Sequence, residues 1–179
     1  MTITIFGSSR PKFGEEEYRT AFELGKLLAQ SGFITCNGGY GGTMEATARG
    51  VSEAGGKTIG VVCERFGMLA NPFTQETIIT KTHSERLQKL IELGDAYVVL
   101  KGSTGTLVEL ALVWEYLNKS LMKEKPIIVV GEFWKPIVDT LAQELVFEGK
   151  ELATKYVTLV QTTQNCLDIL NRKFHVKDR

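Results

Sequence analysis

The chain has 179 residues, enough for one domain that buries most of its apolar surface, and it is 43% hydrophobic and 23% charged. Lysine plus arginine and aspartate plus glutamate both total 21, so the formal net charge is zero; no global field attracts a polyanion, which disfavours a dedicated nucleic-acid or membrane-surface binder. The N-terminal TITIF run lacks a basic stretch and a long apolar core, and no apolar run reaches transmembrane length, so the expected compartment is the cytoplasm.

Taken in chain order, strand-like apolar runs fall at 2–6, 33–36, 58–63, 76–80, 96–100, 127–130 and 156–160. Helical patterns occupy 15–30, 44–53, 84–93, 107–117, 134–144 and 163–171. In the first helix Tyr18, Ala21, Phe22, Leu24, Gly25, Leu28 and Ala29 recur along one face, the spacing of an amphipathic helix. The strands are continuous β-branched runs rather than alternating ones, as suits a parallel sheet covered on both faces. Strand–helix repetition with short turns predicts right-handed crossovers and an α/β fold: a doubly wound, mostly parallel, Rossmann-like sheet in a single domain over residues 1–179. The stretch 65–75 is the least regular, with a turn at Asn71-Pro72; an active-site loop and a plain connector both fit it.

In an open parallel sheet, ligands bind beyond the carboxyl ends of the strands, where strand order reverses. Three turns at such ends carry unusual sequence. Gly7-Ser8-Ser9-Arg10 follows the first strand, and Gly38-Gly39-Tyr40-Gly41-Gly42-Thr43-Met44 follows the second. Lys101-Gly102-Ser103-Thr104-Gly105-Thr106 follows the fifth and runs straight into a helix. Glycine lets backbone N–H groups approach an anion closely, and a helix N-terminus adds unpaired N–H groups and positive dipole charge. Ser8, Ser9, Thr43, Ser103, Thr104 and Thr106 offer hydroxyls for phosphate oxygens or for helix caps. The expected partner is a phosphorylated small molecule.

Glu109 follows Thr106 in a Gly-Thr-x-x-Glu sequence, which predicts a carboxylate in the first helical turn beside the anion. A capping box would explain the same spacing. Arg86 opens the helix before the fifth strand and should reach the same sheet edge, where a guanidinium forks onto phosphate or carboxylate; a solvated helix-face arginine is the alternative. Gly39-x-Gly41 followed by Glu64 only weakly resembles a dinucleotide fingerprint, because Met44 takes the third glycine position and the motif follows the second strand. Without a Gly-Lys-Ser/Thr ending, the turn is not a P-loop. Cys36, Cys63 and Cys166 form no CxxC pair and are expected as buried reduced thiols, while His83 and His175 lack ligand spacing. No metal and no cofactor are expected; Lys101 lies in a glycine turn, without an identifiable acidic partner for a pyridine nitrogen.

On these residues the sequence resembles the LONELY GUY ("lysine decarboxylase-like") phosphoribohydrolase family. That family has a Gly-Ser-Ser turn, a Gly-Gly-Gly-x-x-Gly-Leu-Met segment, an Arg-Lys pair before an Asp-Ala strand, and Pro-Gly-Gly-x-Gly-Thr-x-x-Glu. The corresponding residues here are Gly7-Ser8-Ser9, Gly38 to Met44, Arg86-Leu87 with Asp95-Ala96, and Lys101 to Glu109, with Trp114 where the family often has tryptophan. Lys101, Ser103 and Leu87 replace the family's Pro, second Gly and Lys. The resemblance implies hydrolysis of a purine nucleoside 5′-monophosphate to free base and ribose 5-phosphate, with Arg86 and Glu109 matching the catalytic pair, in a homodimer or higher homo-oligomer. Molybdenum-cofactor carrier proteins resemble the same family and imply a second role, as a non-catalytic carrier or sensor of a phosphorylated ligand.

Overall fold

A computed structural model describes residues 1–67 and 69–174; His175 lies outside the described residues. Seven strands form one sheet: β1 (Thr2–Phe6), β2 (Ile34–Asn37), β3 (Thr58–Cys63), β4 (Glu76–Thr80), β5 (Ala96–Val99), β6 (Ile127–Val130) and β7 (Val157–Val160). Their order is β4-β3-β2-β1-β5-β6-β7, and every neighbouring pair is parallel. The inner strands β3, β5 and β6 are buried along their whole length, as their unbroken apolar runs require, whereas the edges β4 and β7 are partly exposed.

Among the described residues six α-helices cover the sheet: α1 (Glu16–Gln30), α2 (Thr43–Glu53), α3 (His83–Leu93), α4 (Thr104–Asn118), α5 (Lys135–Phe147) and α6 (Thr163–Phe174). One face packs Ile3, Ile5, Val98 and Ile128 against α1, α2 and α6 through Leu24, Leu28, Ala46 and Leu170. The other packs Phe6, Val61, Tyr97 and Val129 against α3, α4 and α5 through Leu90, Leu110, Val113 and Val138. Right-handed crossovers place helices on opposite faces when the chain winds outward in opposite directions, which is the doubly wound arrangement. The chain leaves β1 toward β2 on one side and β5 toward β6 on the other, so the reversal lies between the adjacent strands β1 and β5.

The step from β3 to β4 carries only a 3-10 turn at Glu64–Phe66, so the irregular stretch is a crossover without an α-helix. It is tied to the second glycine turn. Asn71 is buried, and its side-chain amide donates to the carbonyls of Gly39 and Tyr40, both at 3.0 Å. Cys36, Cys63 and Cys166 are free buried thiols, and burial pushes Cys36 and Cys166 up to about 12. Among the described residues no helix is long and apolar enough to cross a membrane.

Candidate active site

The three glycine turns meet at the carboxyl edge of the sheet, around the reversal between β1 and β5. The first and second are stapled together: the Thr43 N–H donates to the Ser8 carbonyl at 2.8 Å, and the Thr43 hydroxyl donates to the same oxygen at 3.1 Å. This close approach requires glycine next door. Gly42 has φ 68°, and a Cβ there would lie 2.2 Å from the Ser8 carbonyl oxygen. Two of the amides offered by the second turn are therefore consumed internally, that of Thr43 on Ser8 and that of Gly39 on Asn37 Oδ1 at 2.8 Å. Within the described residues, the amides of Ser8, Ser9, Thr104, Gly105 and Thr106 donate no hydrogen bond. The hydroxyls of Ser9, Ser103 and Thr104 likewise take no partner there, and Ser103, although it precedes α4, makes no cap. Ser8 Oγ accepts from the Arg10 N–H at 3.1 Å.

Beside these groups lies a cleft of about 340 Å³ whose walls include Gly7, Ser8, Ser9, Gly38, Met44, Ser103, Gly105, Thr106, Arg86 and Glu109. Of the residues expected to bind the ligand, Gly39, Gly41, Gly42, Thr43, Gly102 and Thr104 belong to the same turns but do not line this cleft. A larger groove of about 850 Å³ runs between β4, α3 and α4, and Leu87 points into it rather than toward Arg86. That groove is lined by solvated charges such as Lys81, Glu85, Lys89 and Glu92, so the smaller cleft with its buried ionisable pair is the better candidate.

Arg86 and Glu109 are both buried and face each other, with Nη1 3.8 Å from Oε1. Arg86 is held from three sides. Its Nε donates to the Val61 carbonyl at 2.8 Å, its guanidinium lies 5.4 Å from the Tyr40 ring, and Nη2 rests against Gly38, where a Cβ would come within 1.8 Å of it. Only glycine at position 38 leaves room for that guanidinium. For Glu109, burial pushes the carboxyl up to about 7, against the pull of Arg86. A gap of 3.8 Å exceeds the usual 2.7–2.9 Å of a charge-assisted hydrogen bond, which explains why the arginine does not offset desolvation.

The placement of Glu109 corrects the sequence expectation. The helix begins at Thr104, so Glu109 stands in its second turn, and the third helical position, where a capping-box acid would sit, is Thr106. Lys101 is exposed and turns away from the pair to bind Glu17, with Nζ 2.5 Å from Oε1.

A sequence profile of the SLOG cluster4 family matches residues 1–167. The chain belongs to the SLOG cluster4 family. This SLOG cluster4 chain is 33% identical over 134 residues to a cytokinin riboside 5′-monophosphate phosphoribohydrolase of Mycobacterium tuberculosis, covering 72% of this chain and 70% of that protein. It is 27% identical over 146 residues to one from Rhodococcoides fascians, covering 76% and 72%. Among solved structures, the molybdenum cofactor carrier protein of Chlamydomonas reinhardtii superposes with a TM-score of 0.77 at 22% identity over 96% of both chains. The molybdenum cofactor binding protein of Rippkaea orientalis gives 0.75 at 24%, again over 96% of both. At such identities the structural likeness establishes the fold, and the Rossmann-like expectation stands.

Sequence reasoning missed three rings of this SLOG cluster4 cleft, Tyr40, Phe66 and His83. An aromatic residue amid four glycines was the available signal for Tyr40. Its hydroxyl accepts the Cys63 N–H at 2.7 Å and so spans the turn and β3. Phe66 and His83 arrive from separate elements and carry no shared motif.

Proposed function

We propose that this chain hydrolyses the N-glycosidic bond of a purine nucleoside 5′-monophosphate, AMP or an N6-modified relative, releasing the free base and ribose 5-phosphate. The observation that carries the reading is the buried Arg86–Glu109 pair, 3.8 Å apart, opening onto unpaired amides at the α4 N-terminus and the β1 turn. Relatives bearing the phosphoribohydrolase name support the same reaction class.

The residues fit the chemistry. The 5′-phosphate would take the amides of Ser8, Ser9 and Thr104 to Thr106, at a helix N-terminus that favours anions. Breaking the glycosidic bond sends its electron pair to the base nitrogen and leaves an oxocarbenium-like sugar, which an adjacent carboxylate stabilises. Water adds its oxygen to the anomeric carbon and gives up a proton, which Glu109 accepts and passes to the departing base. A carboxyl at about 7 is partly ionised near neutrality and can both take and return that proton. Arg86 steadies the charge on Glu109 and positions the substrate.

Incubation with AMP, followed by chromatography for adenine, tests this. Wild type should release adenine and ribose 5-phosphate, and Glu109→Gln should lose at least about a hundredfold in kcat while still binding AMP. Intact AMP bound without base release, together with a ligand that co-purifies unaltered in native mass spectrometry, would instead mark the cleft as a carrier or sensor site.

A further inference from the structure

The same cleft is lined by three rings, and the Arg86 guanidinium lies 5.4 Å from that of Tyr40 and 6.0 Å from that of Phe66. Tyr40 and Phe66 lie 5.9 Å apart between centroids, and Phe66 and His83 lie 5.5 Å apart at 47°. They differ in what they leave free. Tyr40 is buried with its hydroxyl committed to the Cys63 backbone, so it supports its neighbours rather than a ligand. Phe66 is 41% exposed at the end of the 3-10 turn, and His83 is exposed at the start of α3. An apolar ring kept this open on a cleft wall, braced from behind by Tyr40, keeps surface uncovered that a planar ligand can cover. Partial desolvation and the charge of Arg86 hold His83 below the ordinary histidine range, which favours the uncharged ring, and that form stacks without desolvating a cation.

We propose that Phe66 and His83 form the platform on which the base of the nucleotide stacks, and that this platform makes the cleft select a base-bearing nucleotide over a bare sugar phosphate. The proposal rests on the nucleotide reading of the cleft. Its order follows the cleft walls: phosphate at the α4 N-terminus, glycosidic bond at Glu109, base against the rings. Stacking on an aromatic ring is tolerant of the base's edge atoms, so the platform favours planar aromatic leaving groups as a class.

Calorimetric titration with AMP and with ribose 5-phosphate tests it, in a Glu109→Gln background so that AMP survives the experiment. Phe66→Ala should weaken AMP at least about fivefold and leave ribose 5-phosphate within about twofold, while Phe66→Trp keeps AMP affinity; His83→Ala should move in the same direction. The platform is overturned if the alanine variants bind AMP unchanged, if both ligands weaken equally, or if the parent binds AMP no better than ribose 5-phosphate. A parallel adenine-release assay on wild type separates the two claims. Ring-dependent AMP binding without adenine release removes the hydrolase and leaves the platform; adenine release with ring-independent binding does the opposite.

Discussion

Replacing Glu109 by glutamine should stabilise the folded protein at pH 8 and leave it unchanged near pH 4. Glu109 is buried, and its carboxyl rises from 4.5 to about 7 because desolvation outweighs the attraction of Arg86. Between those values the folded protein holds a proton that the unfolded chain has released, so stability falls as pH rises. The contribution of neutral Glu109 is intact below about 4.5, declines through the window and levels off above about 7. At about 1.4 kcal/mol per pH unit, that gap corresponds to a cost of about 3 kcal/mol at pH 8. Glutamine is a neutral isostere that does not incur the cost. Comparing the two proteins cancels every other titrating group they share. Thermal melts in matched buffers from pH 4 to 8 should show the Gln variant ahead by about 6–12 °C at the alkaline end, with the curves converging on acidification. A difference that stays flat with pH, or a Gln variant less stable than wild type at pH 8, would refute the reasoning. Either result would mean that Arg86 compensates the buried carboxylate fully despite the 3.8 Å gap.

Other perturbations probe the support of this pair. Arg86→Met removes the cation paired with Glu109, so its destabilisation should be larger at pH 8 than at pH 5, where the carboxyl protonates and no buried charge is left alone; urea unfolding at both values checks this. Gly38→Ala places a Cβ 1.8 Å from Arg86 Nη2, so turnover should fall at least about tenfold through displacement of the guanidinium, read by AMP hydrolysis against an unchanged far-UV spectrum. Asn71→Ala deprives the second glycine turn of two donor bonds and should cost about 2 kcal/mol in denaturant melts, with faster amide exchange in the turn. For wild-type AMP turnover, kcat/KM should rise with pH through about 7 as Glu109 of the free protein ionises, and a pH–rate profile measures it.

Much of the architecture could be read directly. Unbroken runs such as TIGVVC and IIVV mean burial on both faces, which in turn means a parallel sheet between helix layers, and the strand at 58–63 and most helix cores fall where periodicity puts them. Errors gathered where tertiary contacts override local pattern. The helical pattern at 107–117 starts three residues after α4 does, because Thr104-Gly105-Thr106 has poor intrinsic helix preference and is helical here as the first turn of a packed helix. By sequence the Thr43 hydroxyl suits a phosphate oxygen or a helix cap; in the fold it donates to the Ser8 carbonyl and joins two turns that are distant in sequence. The chain alone determined the alternation of strands and helices, the glycine turns at strand ends, and the presence of one arginine and one glutamate with the right chemistry. Their meeting was decided by the sheet order, which brings β1 beside β5 and packs α3 and α4 on one face. So were the high pKa of Glu109 and the ring wall, since desolvation and through-space contact depend on neighbours that sequence spacing does not encode.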